Sequence, residues 1–199
     1  MIAPTYMKNT FSNALKRHQE LVERTLYAIA PDVEKASEIL LAAIKGNHFV
    51  FTCGNGGSAA DSQHFSGEFL SRYKDDRRPL RAMALTADTS ALTAIGNDYH
   101  FDLVFARKIR GLGAPGDVLV SFTTSGTSKN IVAAVKQAKA QGLKTIVFSG
   151  EGGAYLRDIA DAVIAVPSRE TARIQEVHQI IYHSLCEHID KVLPIMNLT

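Results

Sequence analysis

Twice in this chain a short apolar run ends in glycine and hydroxyl residues that lead straight into a helical pattern, and few folds accommodate that arrangement twice. The first run is His48 to Cys53, followed by Gly54-Asn55-Gly56-Gly57-Ser58 and a helical stretch to about Leu70. The second is Asp117 to Phe122, followed by Thr123-Thr124-Ser125-Gly126-Thr127-Ser128 and a helix to about Ala140. Further strands are expected at Leu80 to Thr86, Lys144 to Ser149 and Ala162 to Val166, with helices over about Thr89 to Ile95 and Ala172 to Val192. Strands that alternate with helices predict a five-stranded parallel sheet covered on both faces, a single α/β domain. No element is read between Ile95 and Asp117.

Two helices lead into this core. From about Thr10 to Ile29 the residues Leu15, Leu21, Val22, Leu26 and Ile29 fall near helical spacing. Pro31 interrupts, and Asp32 to Lys45 resumes before Gly46-Asn47. Residues 1–46 are thus expected to pack outside the sheet or against another subunit, with 47–199 as the core. A 199-residue chain with 46% hydrophobic and 21% charged residues can bury such a core unaided. A formal charge of +2 gives no footing for nucleic acid or a membrane surface. The densest basic cluster, Arg77, Arg78 and Arg81, reads as a solvated loop. No apolar run reaches the roughly 18–20 residues that span a bilayer. Met1 to Phe11 lacks a signal-peptide core. Cys53 and Cys186 fit no CxxC pattern and read as reduced core thiols, so a cytoplasmic location is expected.

Both glycine loops stand between a strand's end and a helix's start, where ligands of open parallel sheets bind and free N–H groups point at anions. Thr123 to Ser128 offers five hydroxyls in six residues, with Gly126 for a bend, a composition suited to a phosphate monoester. An ordinary Ser or Thr N-cap would account for one hydroxyl of the five. Neither loop is a Walker A motif. The first approaches GxGxxG through Gly54, Gly56 and Ala59. The acid that fingerprint wants, about 20 residues on, falls at Asp75 or Asp76, ahead of the next strand, which disfavours a dinucleotide.

Four further side chains bear on chemistry. His64 and Glu68 stand at i, i+4, which puts them on one helix face with β-carbons about 5–6 Å apart, within reach of one ion. Gln175 and His183 stand eight residues apart on the last helix, about 12 Å of rise and about 80° past two turns. They share a broad face, and either reach one ion by leaning together or act in different roles. Alone, each pair would be an ordinary polar helix face.

Together, these loops and side chains resemble the sugar isomerase (SIS) fold, whose Ser/Thr loop grips a sugar phosphate. Gln63-His64 followed by Glu68, and Arg173-Ile174-Gln175-Glu176 followed by His178 and His183, are similar to the phosphoheptose isomerases. The resemblance covers nearly the whole chain. It implies a zinc ion, one per subunit, on His64, Glu68, Gln175 and His183. It implies substrate contacts from Asn55, Gly56, Gly57, Glu68, Asn97, Asp98, Thr123, Thr124, Ser125, Ser128 and Gln175, with Glu68 as base and His183 as acid. The implied reaction is the aldose–ketose isomerisation of D-sedoheptulose 7-phosphate to D-glycero-D-manno-heptose 7-phosphate through a cis-enediol, the first step of nucleotide-activated heptose synthesis. The implied assembly is a homotetramer. Three positions depart from the family pattern: Thr123 stands where many members carry Ser, Thr127 where Asn or Lys is common, and Ala172 where some carry an acid. The alternatives are a non-catalytic SIS sugar-phosphate binder, such as the replication-initiator-associating proteins, which lack the counterparts of Glu68 and His183, and an isomerase for another ketose phosphate.

Overall fold

The computed structural model describes residues 4–197. Five strands, β1 (Val50–Gly54), β2 (Ala82–Ala84), β3 (Val118–Thr123), β4 (Lys144–Gly150) and β5 (Ala162–Val166), form one sheet in the order β2-β1-β3-β4-β5. Every pairing is parallel, with Val50 opposite both Ala82 and Val118, and Phe122 opposite Phe148. Seven α-helices are described: α1 (Pro4–Ala28), α2 (Ala30–Lys45), α3 (Gly57–Leu70), α4 (Thr89–Asp98), α5 (Val104–Leu112), α6 (Lys129–Ala140) and α7 (Thr171–Val192). Short 3-10 turns occupy Phe101–Leu103 and Glu151–Asp158.

Period-two patterning divides the core in two. Val118, Val120 and Phe122 join the cluster under α2, α3 and α7, whereas Leu119, with Phe51 and Val147, joins the cluster under α5 and α6. Helix α3 approaches its strand closely because its buried stripe is small: Ser58, Ser62 and Ser66, at i, i+4 and i+8, are all buried. The Ser62 carbonyl accepts a 2.7 Å hydrogen bond from Thr52 on β1. The strand order reverses direction at β1 and β3, so their carboxyl ends, the two glycine loops, flank the crevice where open sheets bind ligands.

Several expectations are corrected. Pro31 does not interrupt a helix but stands in the first turn of α2, where its missing N–H costs nothing. The two leading helices part company: α2 buries Ala36, Leu40, Ala43 and Ile44 in the core, while α1 leaves Met7, Phe11, Leu15 and Leu26 exposed. Strand β2 is three residues long rather than seven, because it is an edge strand that pairs only with β1. Helix α5 goes unread in the sequence because Lys108 interrupts its apolar stripe. Lys108 is itself buried, its ammonium donating to the Leu85 and Asp88 carbonyls.

The arginine cluster is no solvated loop at its first member. The Arg77 side chain is 3% exposed and pairs at 2.7 Å with Asp190 of α7, itself 1% exposed. Arg77 also donates to the Glu68 and Phe69 carbonyls, and Asp190 accepts from the Lys74 and Asp75 amides. The pair therefore caps the orphan carbonyls of α3 and fastens that end to α7.

Candidate active site

The first loop is shaped by what approaches it. Gly56 has φ +55°, which strains any residue with a side chain. A β-carbon on Gly57 would lie 2.5 Å from Nε2 of Gln175, so a side chain near the N-terminal end of α7 rests directly against the start of α3. Asn55 and Asn130, the latter in the first turn of α6, exchange two amide hydrogen bonds of 2.8 and 2.9 Å. That reciprocal pair ties the two strand-end loops together across the switch point. A cavity of about 430 Å³ opens at the first loop, lined by Asn55, Gly56, Gln63, Thr86 and Gly96 among others. Asn97 and Asp98, hydrogen-bonded to each other at 2.8 Å, follow Gly96 at the end of α4. Both are exposed, and neither lines the cavity.

The hydroxyl loop is folded on itself. Thr123 accepts from the Gly126 amide and Ser125 from the Thr127 amide, both at 3.2 Å. Gly126 has φ +74° and packs against Gly153, leaving no room for a β-carbon. Ser128 holds the N-cap position of α6 but makes no capping hydrogen bond, so ordinary capping does not explain its hydroxyl. Thr124 and Ser125 face a cavity of about 250 Å³ shared with Ser168, Arg169 and Thr171 at the start of α7. Arg169, which pairs with Glu151, puts a guanidinium beside this loop that the sequence reading did not single out.

The third part of the site lies along the seam of α3 and α7. His64 Nε2 is 2.9 Å from Glu68 Oε1, and one ligand atom from each of His64, Glu68 and His183 lies within 4.8 Å of the others. The His64 and His183 rings meet edge to face at 5.0 Å between centroids, and Tyr73 stacks on His183 at 5.3 Å. Two imidazoles and a carboxylate are a donor set that zinc accepts, so these three residues fit a divalent cation. Gln175 lies on α7 with His183, and its side-chain amide abuts Gly57 at the start of α3.

Burial, reinforced by the neighbouring His64 and opposed by Glu68, lowers the His183 pKa below the ordinary histidine value. Two functional neighbours escaped the sequence reading. Asp61 shares the helical face of Gly57, His64 and Glu68, a spacing that could have revealed it. Burial pushes its carboxyl up to about 6 against the lowering effect of His64, and its Oδ2 is buried without a partner. Tyr182 donates or accepts at 2.9 Å with His64 Nδ1. Nothing in the sequence marks it apart from the other apolar positions of α7.

With this geometry in view, the family model of the SIS domain matches residues 15–150. The phosphoheptose isomerase of a Nitratiruptor species is 49% identical, over 89% of this chain and 95% of its own length. That of Aliarcobacter butzleri is 44% identical, over 94% of this chain and 99% of its own. Among solved structures, the phosphoheptose isomerase of Neisseria gonorrhoeae superposes with a TM-score of 0.88 at 38% identity, covering 94% of this chain and 100% of that one. Fold, loops and relatives together define a sugar-phosphate isomerase architecture. The chain belongs to the SIS-domain family and, within it, to the phosphoheptose isomerases; it is an isomerase.

Proposed function

We propose that the chain converts D-sedoheptulose 7-phosphate to D-glycero-D-manno-heptose 7-phosphate, supplying nucleotide-activated heptose for lipopolysaccharide or another surface glycan. The observation that carries the reading is the convergence of Glu68, His64 and His183 on the α3–α7 seam, in a chain of this family. Moving a carbonyl from C2 to C1 needs a base at carbon, a proton donor at oxygen and an anchored substrate. Glu68 takes the proton from C1 and returns it to C2 through a cis-enediol. His183, with its pKa lowered by burial, is a neutral imidazole near pH 7. Its N–H donates to the substrate oxygens as the hydroxyl proton passes from O1 to O2. Thr123, Thr124, Ser125 and Ser128 hold the phosphate at the start of α6. Asn55, Gly56, Gly57, Asn97, Asp98 and Gln175 contact the sugar.

His64, Glu68 and His183, with Gln175 as fourth donor, are the residues that would hold one Zn2+ per subunit. Bound there, zinc would draw electron density from the substrate carbonyl and acidify the adjacent C–H. A neutral His183 serves both roles, one nitrogen toward the metal and the other's N–H toward substrate. The same donors also suit nickel, manganese and iron, so metal analysis accompanies the kinetics.

The working form is a homotetramer, with residues 1–46 in its contacts. Met7, Phe11 and Leu15, spaced four apart, leave an apolar stripe exposed on α1. Phe11 and Leu15 also line a cleft of about 560 Å³ that reaches His183, so a second copy seated there would close the site. The enzyme works in the cytoplasm, where Cys53 and Cys186, both buried and free, stay reduced. No described helix is long and apolar enough to cross a membrane. Incubating the protein with sedoheptulose 7-phosphate and other ketose phosphates tests the reading. Aldose product from the heptulose ahead of the others is expected; no aldose from it, at any metal loading, would refute it.

A further inference from the structure

We infer that Tyr182 is the positioning residue that fixes the ring orientation and tautomer of His64 for metal binding, a role that rests on the proposed metal site. His64 has a partner on each nitrogen: Glu68 Oε1 at 2.9 Å from Nε2, and the Tyr182 hydroxyl at 2.9 Å from Nδ1. A neutral imidazole carries one N–H and one lone pair. Facing a carboxylate, which only accepts, Nε2 holds the proton, and the Tyr182 hydroxyl donates to Nδ1. When Nε2 gives its lone pair to a cation, the same proton sits on Nδ1 and the hydroxyl accepts instead. His64 neither gains nor loses a proton in that exchange.

A hydroxyl is suited to both states because it has one donor and two lone pairs, whereas a carbonyl or carboxylate could serve only the second. The hydroxyl is also held still. The Tyr182 ring is 1% exposed and packs against Phe65 at 5.7 Å, Phe122 at 6.0 Å and the edge of His183 at 4.8 Å between centroids. One side chain thus packs its ring on one proposed ligand and orients another through its hydroxyl. The sequence hid this role because Tyr182 occupies a core position of α7.

Tyr182→Phe removes the hydroxyl and keeps the ring. The test is the zinc affinity of chelator-stripped protein, measured by competition with a chromophoric chelator, together with the melting temperature of the metal-free form. Tyr182→Phe should bind zinc about 10–100-fold more weakly than wild type, the scale of losing an outer partner of a ligating histidine. The metal-free melting temperature should stay within about 4 °C of wild type, the shift expected from about 1 kcal/mol in a chain of this size. Because the hydroxyl acts through His64, His64→Ala and the double variant His64→Ala/Tyr182→Phe should bind equally weakly. Unchanged affinity in Tyr182→Phe, or a further loss in the double variant, would overturn the assignment. Wild type that binds no zinc, or His64→Ala that binds as tightly as wild type, would remove the metal site itself and this role with it.

Discussion

Acid should destabilise this fold through one side chain in particular, His178. It is fully buried on α7, edge-on to Phe148 at 5.5 Å and near Phe122 at 6.2 Å. Its Nε2 lies 3.2 Å from the Ser149 carbonyl. A carbonyl only accepts, so the neutral ring carries its proton on Nε2 and leaves Nδ1, which has no partner, as the bare acceptor. Protonation would put a charge on Nδ1 among aromatic carbons. Burial accordingly pulls the pKa down from 6.5 to about 4, against the raising effect of the Ser149 carbonyl. Between those values the unfolded chain binds the proton and the folded chain does not. Stability is therefore complete above about pH 6.5 and is lost as pH falls toward 4. The loss is about 1.4 kcal/mol per pH unit, reaching roughly 3 kcal/mol. At pH 5 it is about 2 kcal/mol, or about 4–8 °C in melting temperature for a chain of this length. The assay is thermal unfolding by circular dichroism from pH 7.5 to 4.5 at fixed protein concentration, comparing wild type with His178→Leu. Leucine fills similar space and does not titrate, so every other group cancels in the difference. The variant should start lower at pH 7.5, having lost the Ser149 hydrogen bond, and fall less steeply with acid. Parallel slopes would show that His178 does not set this acid sensitivity.

Asp190→Ala strands the buried Arg77 guanidinium and two backbone amides. It should cost about 3–5 kcal/mol, read as a fall of about 6–20 °C in melting temperature; a fall below about 2 °C would contradict the clamp. Asn130→Ala should raise the Michaelis constant more than it lowers kcat, since it frees the Asn55 loop without touching Glu68. Because each single variant already breaks the Asn55–Asn130 pair, the double variant with Asn55→Ala should lose less than the sum of the two singles; additive losses in steady-state kinetics would show that the two asparagines act independently.

The sequence made the parallel sheet legible because each buried strand is a short apolar run bounded by turn residues, and β1, β3, β4 and β5 fall within two residues of expectation at each end. Edge strand β2 was overread because apolar character extends past the three residues that have a neighbour to pair with. Helix α5 was missed, and Arg77 misjudged, for one physical reason. Lys108 and Arg77 are buried by the carbonyls and carboxylate they satisfy, and those partners lie 20 or more residues away, except the α3 and Arg78 carbonyls that Arg77 also meets. His64 with Glu68 could be read from helical spacing alone, whereas their meeting with His183 needed α3 and α7 packed side by side. Asn130 and Tyr182 carry no local signal, because each acquires its role from a partner distant in sequence.

If Glu68 is the base of the isomerisation, Glu68→Gln should leave binding intact and remove turnover. Glutamine keeps the size and a carbonyl oxygen toward His64 but cannot take a proton from carbon. Calorimetry with sedoheptulose 7-phosphate reads binding, and steady-state kinetics on metal-loaded protein of verified content reads turnover. Glu68→Gln should bind the sugar phosphate and turn it over about 100-fold more slowly or worse, the scale of losing a general base. Turnover near the wild-type rate would contradict that role.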